Sequence, residues 1–268
     1  MTLDDIVLIA CEAGREIHRI WTEGCGADTK RDGSVVTIAD QRAETIILAG
    51  LKRIAPQIPV IAEEQDEAGL TPLVEAQFFL VDPLDGTKGF AEGGNEDFTV
   101  NIGLIDHHIP VLGVVYAPAS GRLWAADANG AWEAQCDPTT AQIQTPRKVL
   151  RVSTRSGGWL LVGSRSYGGP KFKAFAAAVG ASETLAASSS LKFCRVATGE
   201  ADLYPRFGGL REWDVAAGHA VLRAAGGDVM TLTGGPIRYG RANAGFELDG
   251  LIAYGNAASE KAARAALG

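Results

Sequence analysis

Apolar positions near the start of the chain recur with the spacing of amphipathic helices. In the first twenty residues they fall on one helical face, and Thr2 precedes them as a candidate N-cap. A second stretch, Ile38–Ile54, repeats this pattern and ends before Pro56. A short apolar run over 60–62 then has the length of a strand. Two helices and a strand are therefore predicted at the beginning of the chain.

The middle of the chain changes from helical spacing to short β-rich runs. The first of them is fully apolar, covers 78–81 and ends at Asp82. Turn-forming dipeptides such as Asn129-Gly130 separate the later ones. This pattern predicts an antiparallel meander with strands over 98–105, 111–116, 122–126 and 130–134.

From about residue 150, strand patterns alternate with helical ones. This order is typical of an α/β arrangement. Strands are predicted over 159–163, 185–188, 201–204 and 251–255, and helices over 171–179, 190–198, 214–225 and the alanine-rich C-terminus. The boundary is placed within 142–148, which gives an N-terminal α+β subdomain, 1–145, and a C-terminal α/β subdomain, 146–268.

Composition narrows the possible partners. With 268 residues and 46% hydrophobic content, the chain can bury a full core. A net charge of -7 disfavours nucleic-acid polymers and anionic membranes, whereas bound divalent ions could still attract a small anionic substrate. Four scattered cysteines without metal-binding spacing indicate reduced thiols, and neither a basic leader nor a membrane span is recognised. A cytoplasmic protein is therefore expected.

The segment that follows the apolar run 78–81 carries the strongest chemical signal. In Asp82-Pro83-Leu84-Asp85-Gly86-Thr87, two carboxylates can bind hard cations, and the small residues offer backbone N–H groups to a phosphate. A simple turn needs only one Asp with a Gly or Pro. By contrast, Glu63, Asp214 and Asp40 each have an ordinary structural interpretation, as a solvated turn, a helix cap and a capping box.

Two kinds of phosphatase chemistry compete for this hexad. Haloacid-dehalogenase-type enzymes carry Asp-x-Asp-Gly-Thr, in which one aspartate attacks phosphorus and the other handles a proton. Here the two aspartates are three residues apart with a proline between them. This spacing favours two metal ligands and attack by water.

Three motifs together resemble the inositol monophosphatase superfamily of magnesium-dependent, lithium-sensitive phosphatases. They are Glu63-Glu64, the hexad, and Glu212-Trp213-Asp214-Val215-Ala216-Ala217-Gly218. The segments 98–102, 111–118, 189–194 and 201–206 are most similar to CysQ-type 3'(2'),5'-bisphosphate nucleotidases, which hydrolyse 3'-phosphoadenosine 5'-phosphate to AMP and so clear a by-product of sulfate assimilation. The resemblance implies a layered α-β-α-β-α sandwich of the inositol monophosphatase and fructose-bisphosphatase type with two subdomains.

The resemblance also assigns roles to residues. Two or three Mg²⁺ ions, with Li⁺ as an inhibitor, would be held by Glu63, Asp82, Asp85, Asp214 and the Leu84 carbonyl. Asp40 would activate the attacking water through Thr87. Substrate contacts would come from Gly86, Thr87, Ser190, Lys192, Arg206 and Asp214, with Lys88 and Arg165 as weaker candidates.

Substrate choice stays open at this point. Gly89 and the Gly209-Leu210-Arg211 segment depart from the nucleotidase pattern, so an inositol monophosphatase or a sugar bisphosphatase is an alternative. A non-catalytic metal or nucleotide sensor is less favoured, because every proposed metal-binding and water-activating residue is present. The expected partner is a small phosphorylated substrate, adenosine 3',5'-bisphosphate, bound by a monomer or homodimer.

Overall fold

The structure is a computed structural model that describes residues 1–24, 27–29, 35–93, 95–164 and 169–268. Cys25 and Arg165 lie outside the described residues. The helices are α1 Leu3–Glu23, α2 Ile38–Ile54, α3 Glu63–Glu67, α4 Thr87–Glu92, α5 Pro170–Val179, α6 Leu191–Ala197, α7 Trp213–Ala225 and α8 Ala257–Leu267, with a 3₁₀ turn at Ala242–Ala244. The strands of the first half are β1 Ala27–Thr29, β2 Val35–Thr37, β3 Val60–Ala62, β4 Gln77–Asp85, β5 Thr99–Asp106, β6 Ile109–Ala117, β7 Arg122–Asp127, β8 Gly130–Gln135 and β9 Lys148–Val149. Those of the second half are β10 Trp159–Gly163, β11 Ala181–Ala186, β12 Leu203–Arg206, β13 Leu210–Arg211, β14 Asp228–Thr231, β15 Glu247–Leu248 and β16 Leu251–Tyr254.

The first half is built on a seven-stranded sheet in the order β3-β4-β5-β6-β7-β8-β9. The pair β3–β4 is parallel and every later pair is antiparallel, which confirms the predicted meander. One face is covered by α1 and α2, whose apolar stripes pack with alternate residues of the strands. Thr2 caps α1 with a capping box to Asp5, as the sequence predicts for this N-cap.

The other face of this sheet packs against α7 at close range. Gly103 on β5 and Gly113 on β6 leave space for the small residues of the helix, because a Cβ at Gly113 would lie 2.3 Å from the carbonyl oxygen of Ala217. Beyond α6 and α7 lies the second sheet, in the order β11-β10-β12-β16-β14. Helices α5 and α8 cover its outer face. The layers therefore run helix, sheet, helix, sheet, helix, which confirms the predicted sandwich.

The structure differs from the predicted elements in both halves, since the short elements β1, β2 and α3 of the first half were not predicted. The strand predicted over 185–188 lies instead at Ala181–Ala186, where it forms an exposed edge beside β10. The antiparallel strand β14 was not predicted, since Asp228–Thr231 is too short to show a period of its own. Residues Lys148–Val149, placed at the predicted boundary, pair with β8 of the first sheet. The proposed subdomain limits stay a prediction.

We expect Gly113→Ala to destabilise the protein by about 1–3 kcal/mol, because the added methyl group must displace α7 from the sheet. Urea unfolding followed by circular dichroism measures the change. Gly157→Ala is the matched control, since nothing lies within 4 Å of a Cβ at that glycine. Equal stabilities for the two variants would contradict the close contact between α7 and β6.

Candidate active site

The two aspartates of the hexad are brought to one side of β4 by a β-bulge. Asp82 lies opposite Asn101 and Asp85 opposite Thr99 on the neighbouring strand β5. Asn101 and Thr99 are two residues apart and face the same way, whereas a regular strand would turn residues three apart to opposite faces. The extra residue of β4 removes that mismatch. The bulge therefore lets both carboxylates share one site despite their three-residue spacing.

Directly after β4, the chain turns into the short helix α4. Gly86 has a left-handed φ of 97° and precedes Thr87, the first helical residue, as predicted from the Gly-Thr pair. The Thr87 hydroxyl lies 2.9 Å from Asp40 Oδ1 and 2.8 Å from the Leu84 carbonyl oxygen. Either oxygen can accept its single proton.

Asp40 forms the capping box that its sequence context predicts, and it also contacts Thr87. Its Oδ2 accepts hydrogen bonds from the backbone N–H and the hydroxyl of Thr37, each at 2.7 Å, which forms the capping box of α2. Its Oδ1 is left for Thr87. Burial raises the pKa of Asp40, while the hydrogen bonds from Thr37 and Thr87 act in the opposite direction. The capping box thus holds a proton acceptor in a fixed position against Thr87.

The remaining carboxylates arrive from two other elements. Glu63 begins α3 at the end of β3, and the Glu44 carboxylate on α2 fixes this corner by accepting a 3.0 Å hydrogen bond from the Glu64 N–H. Asp214 lies in the first turn of α7, where its Oδ2 accepts the Arg211 N–H at 2.8 Å. Three segments distant in sequence therefore supply the acidic groups.

These side chains line one cavity of about 280 Å³. All predicted metal ligands contribute to its wall, and among the main catalytic and substrate-contact residues only Asp40 and Ser190 do not. The lining residues are Glu63, Asp82, Leu84, Asp85, Gly86, Thr87, Ser189, Lys192, Phe193, Tyr204, Arg206, Gly209, Leu210 and Asp214. Asp40 lies behind Thr87, and the Ser190 hydroxyl donates to the Asp214 carbonyl at 3.0 Å. The substrate contact assigned to Ser190 stays a prediction.

Burial and mutual repulsion raise the pKa values of the acidic group. For Asp82, burial raises the pKa well above its usual value, and the charges of Glu63 and Asp85 raise it further. Burial and then Asp85 raise the pKa of Asp214 to about 7. Burial also raises the pKa of Asp85, against the opposing charge of Lys192. Like charges at this density favour either protonation or neutralisation by cations.

The donor set fits a hard divalent cation in its chemistry. Carboxylate and carbonyl oxygens are the ligands that Mg²⁺ prefers, and four carboxylates line the same cavity. Among the described side chains, however, no group of three or more His, Cys, Asp or Glu is arranged to hold a metal ion as it stands. The ligand set predicted from the sequence therefore stays a prediction.

Two cations line the same cavity as the carboxylates. Lys192 is 6% exposed, its Nζ lies 5.3 Å from the Tyr204 ring centre, and burial lowers its pKa to about 8 even though Asp85 favours the charged form. Arg206 ends β12, and its Nη2 is 3.4 Å from the Gly209 carbonyl oxygen. Lys88, by contrast, is exposed in an i,i+4 pair with Glu92. The structure thus brings Lys192 and Arg206, and not Lys88, to the carboxylates.

Several contacts of the site were missed by the sequence analysis. Ser189 lines the cavity, and the Asn101 amide lies 3.4 Å from Asp85 Oδ2. Asn101 could have been found by pairing the predicted strands, since it lies two residues from the position opposite Asp85. Ser189 carries no such signal, because its placement depends on a left-handed φ of 52° between two elements.

Comparison with known proteins agrees with this geometry. Residues 3–266 match the inositol monophosphatase family, and the chain belongs to that family.

Among curated proteins, it is 42% identical over 239 residues to the 3'(2'),5'-bisphosphate nucleotidase CysQ of Shigella flexneri, covering 88% of this chain and 93% of the relative. The solved structure of CysQ from Bacteroides thetaiotaomicron, a bacterial member of the inositol monophosphatase family, has a TM-score of 0.77 at 31% identity and covers 94% of this chain and 96% of its own. The suhB protein of Bartonella henselae has a TM-score of 0.75 at 26% identity, covering 98% of this chain and 97% of its own. The family resemblance recognised in the sequence is confirmed.

The raised pKa values predict how the stability of the metal-free protein depends on pH. A carboxyl group with a pKa of 3.8 when unfolded and about 7 when folded binds more protons in the folded state between those values. Its contribution to the free energy of unfolding therefore falls as pH rises from about 4 to 7. We expect Asp214→Asn to remove part of this fall, measured by denaturant unfolding in EDTA across that range, with Asp127→Asn as control. Identical pH profiles for wild type and Asp214→Asn would contradict the assignment.

Proposed function

We propose that this protein is a Mg²⁺-dependent phosphomonoesterase that hydrolyses the 3'-phosphate of adenosine 3',5'-bisphosphate, or of its 5'-phosphosulfate, with Li⁺ as an inhibitor. The observation that carries this proposal is a single cavity whose wall contains four carboxylates together with two cations, Lys192 and Arg206. Such a wall suits a substrate with two separate anionic groups. The similarity to bisphosphate nucleotidases named CysQ supports the same assignment.

The residues of the chain divide the chemistry among them. When bound, Mg²⁺ at the carboxylates would supply positive charge that promotes ionisation of a water and neutralises phosphoryl oxygens. The Thr87 hydroxyl can accept a proton from the attacking water while passing its own to Asp40 Oδ1, 2.9 Å away. The backbone N–H groups that follow Gly86 are available to the phosphoryl oxygens. No covalent phosphoenzyme is needed.

A neighbouring pocket favours a nucleotide over other bisphosphates. It has a volume of about 380 Å³, and it shares Tyr204 and Arg206 with the carboxylate cavity. Phe172, Pro205 and Phe207 contribute to its largely apolar wall. An apolar pocket with aromatic sides suits the flat face of a base, whereas inositol and sugar phosphates carry hydroxyl groups that would lose hydrogen bonds there.

Phosphate release from three substrates tests the assignment. We expect adenosine 3',5'-bisphosphate to be hydrolysed with a higher kcat/KM than inositol 1-phosphate or fructose 1,6-bisphosphate. We also expect activity to require Mg²⁺ and to fall on addition of Li⁺. Equal or faster turnover of either alternative substrate would overturn the nucleotide assignment in favour of an inositol monophosphatase or a sugar bisphosphatase.

Asp85→Asn is expected to lower kcat by at least about 10³-fold, because an amide cannot replace the charge of a carboxylate that binds cations. The protein should remain folded, since the pKa of Asp85 is already raised by burial and the neutral form is tolerated. Circular dichroism and thermal unfolding check the fold alongside the phosphate assay. An active Asp85→Asn enzyme would rule out this mechanism.

A further inference from the structure

Three hydrogen-bonding contacts connect the loop between β11 and α6 with the first half of the chain, two of them with Asp97 before β5 and one with Asp85 at the end of β4. The Asp97 Oδ2 accepts the Ser188 N–H at 3.0 Å. The Ser189 hydroxyl lies 2.7 Å from the Asp97 carbonyl oxygen and 2.9 Å from the Asp85 carbonyl oxygen. The first two join residues 91 and 92 positions apart and the third spans 104, so they link the two halves of the chain beside the carboxylate cavity. We call these contacts the 97–189 clamp.

Ser189 has an unusual backbone conformation, which the contacts of the clamp stabilise. Ser189 has a φ of 52°, a left-handed conformation that is unfavourable for a residue with a side chain. The Ser189 hydroxyl donates its single proton to the carbonyl oxygen of Asp97 or of Asp85 in the other half of the chain, and this hydrogen bond offsets the conformational cost. Gly86 also accommodates the clamp, because a Cβ at Gly86 would lie 2.4 Å from Ser189 Oγ. The turn after β4 and the Ser189 side chain therefore fit each other directly.

The clamp connects the backbone of Asp85 with the segment that leads into α6 and Lys192. On one side it holds the backbone of Asp85, and on the other it ends three residues before Lys192 in the first turn of α6. The next residue, Ser190, extends the connection by donating its hydroxyl to the Asp214 carbonyl at 3.0 Å. A shift of the 188–190 loop would therefore move Lys192 relative to Asp85 and Asp214.

We propose that Asp97 and Ser189 are positioning residues that set the distance between the carboxylates and Lys192, and thereby the preference for substrates with two phosphates. This inference rests on the function proposed above. It assigns neither residue a contact with the reacting atoms. If these residues act by positioning, their substitution weakens binding of the second phosphate and leaves the rate of the chemical step unchanged.

Steady-state kinetics of adenosine 3',5'-bisphosphate hydrolysis at saturating Mg²⁺ test the proposal. We expect Asp97→Ala to raise KM by about tenfold or more with kcat within about threefold of wild type, since a displaced binding group weakens substrate positioning. Lys192→Ala should show the same pattern. Asp97→Asn should restore a KM close to wild type, because its amide oxygen can still accept the Ser188 N–H. Asp127→Ala is the control, since Asp127 accepts the Asn129 N–H at 2.8 Å in the β7–β8 turn.

Ser189 provides an independent second test. Ser189→Gly keeps the left-handed backbone accessible but removes the hydroxyl, so it should raise KM as Asp97→Ala does. Thermal unfolding verifies that each variant is folded. If Asp97→Ala does not fold, the KM of Ser189→Gly tests the proposal instead. For hydrolysis of adenosine 3'-phosphate, which lacks the second phosphate, wild type and Asp97→Ala should have the same kcat/KM.

An unchanged KM in the folded variants, or a fall in kcat alone, would overturn the positioning role. A wild-type enzyme inactive on the bisphosphate would instead refute the proposed function.

Discussion

Repulsion among buried carboxylates is the constraint on which the rest of the site depends. Burial already disfavours ionisation of Asp82, and the negative charges of Glu63, Asp85 and Asp214 raise its pKa further. A protein gains no stability by collecting such groups, so the fold must hold them from different directions. It does so with the bulged end of β4, the β3–α3 corner and the first turn of α7. Each of these elements is anchored in the layered core and not in the cavity itself.

The layered arrangement explains how this anchoring is achieved. Helix α7 approaches β5 and β6 at glycine positions, which brings its N-terminal turn and Asp214 close to the end of β4. On the opposite face, α2 carries Asp40 and Glu44, one bonded to Thr87 and the other to the Glu64 backbone. Helices on both faces of one sheet therefore support the same strand end. The site therefore receives acidic groups from helices on both faces of the sheet, and these groups are carried by regular elements and not by long loops.

The sequence predicted those features that local pattern determines. Helix α2 was predicted with the observed limits Ile38–Ile54, and the meander followed from alternating apolar runs and turn residues. The residues lining the cavity were recognised where a motif carries them, as in Asp82, Asp85 and Thr87. Ser189 and Asp97 were missed, because their contacts join segments about 90 residues apart and depend on a loop conformation. Long-range loop contacts of this kind have no periodicity, so one sequence does not reveal them.

The bulge in β4 makes the site sensitive to the number of residues as well as to their identity. Asp82 and Asp85 are three residues apart, and they share a face because β4 carries one additional residue between them relative to β5. A deletion of Pro83 or Leu84 would restore regular pleating and keep the two aspartates two residues apart on one face, but it would also shift Gly86 and Thr87 back by one position. The turn at Gly86 and Thr87 would then lose its alignment with Asp40 and Ser189. The number of residues between Asp82 and Asp85 is therefore as important for the site as their charges. We expect an insertion or deletion of one residue there to be tolerated less well than a substitution at Leu84.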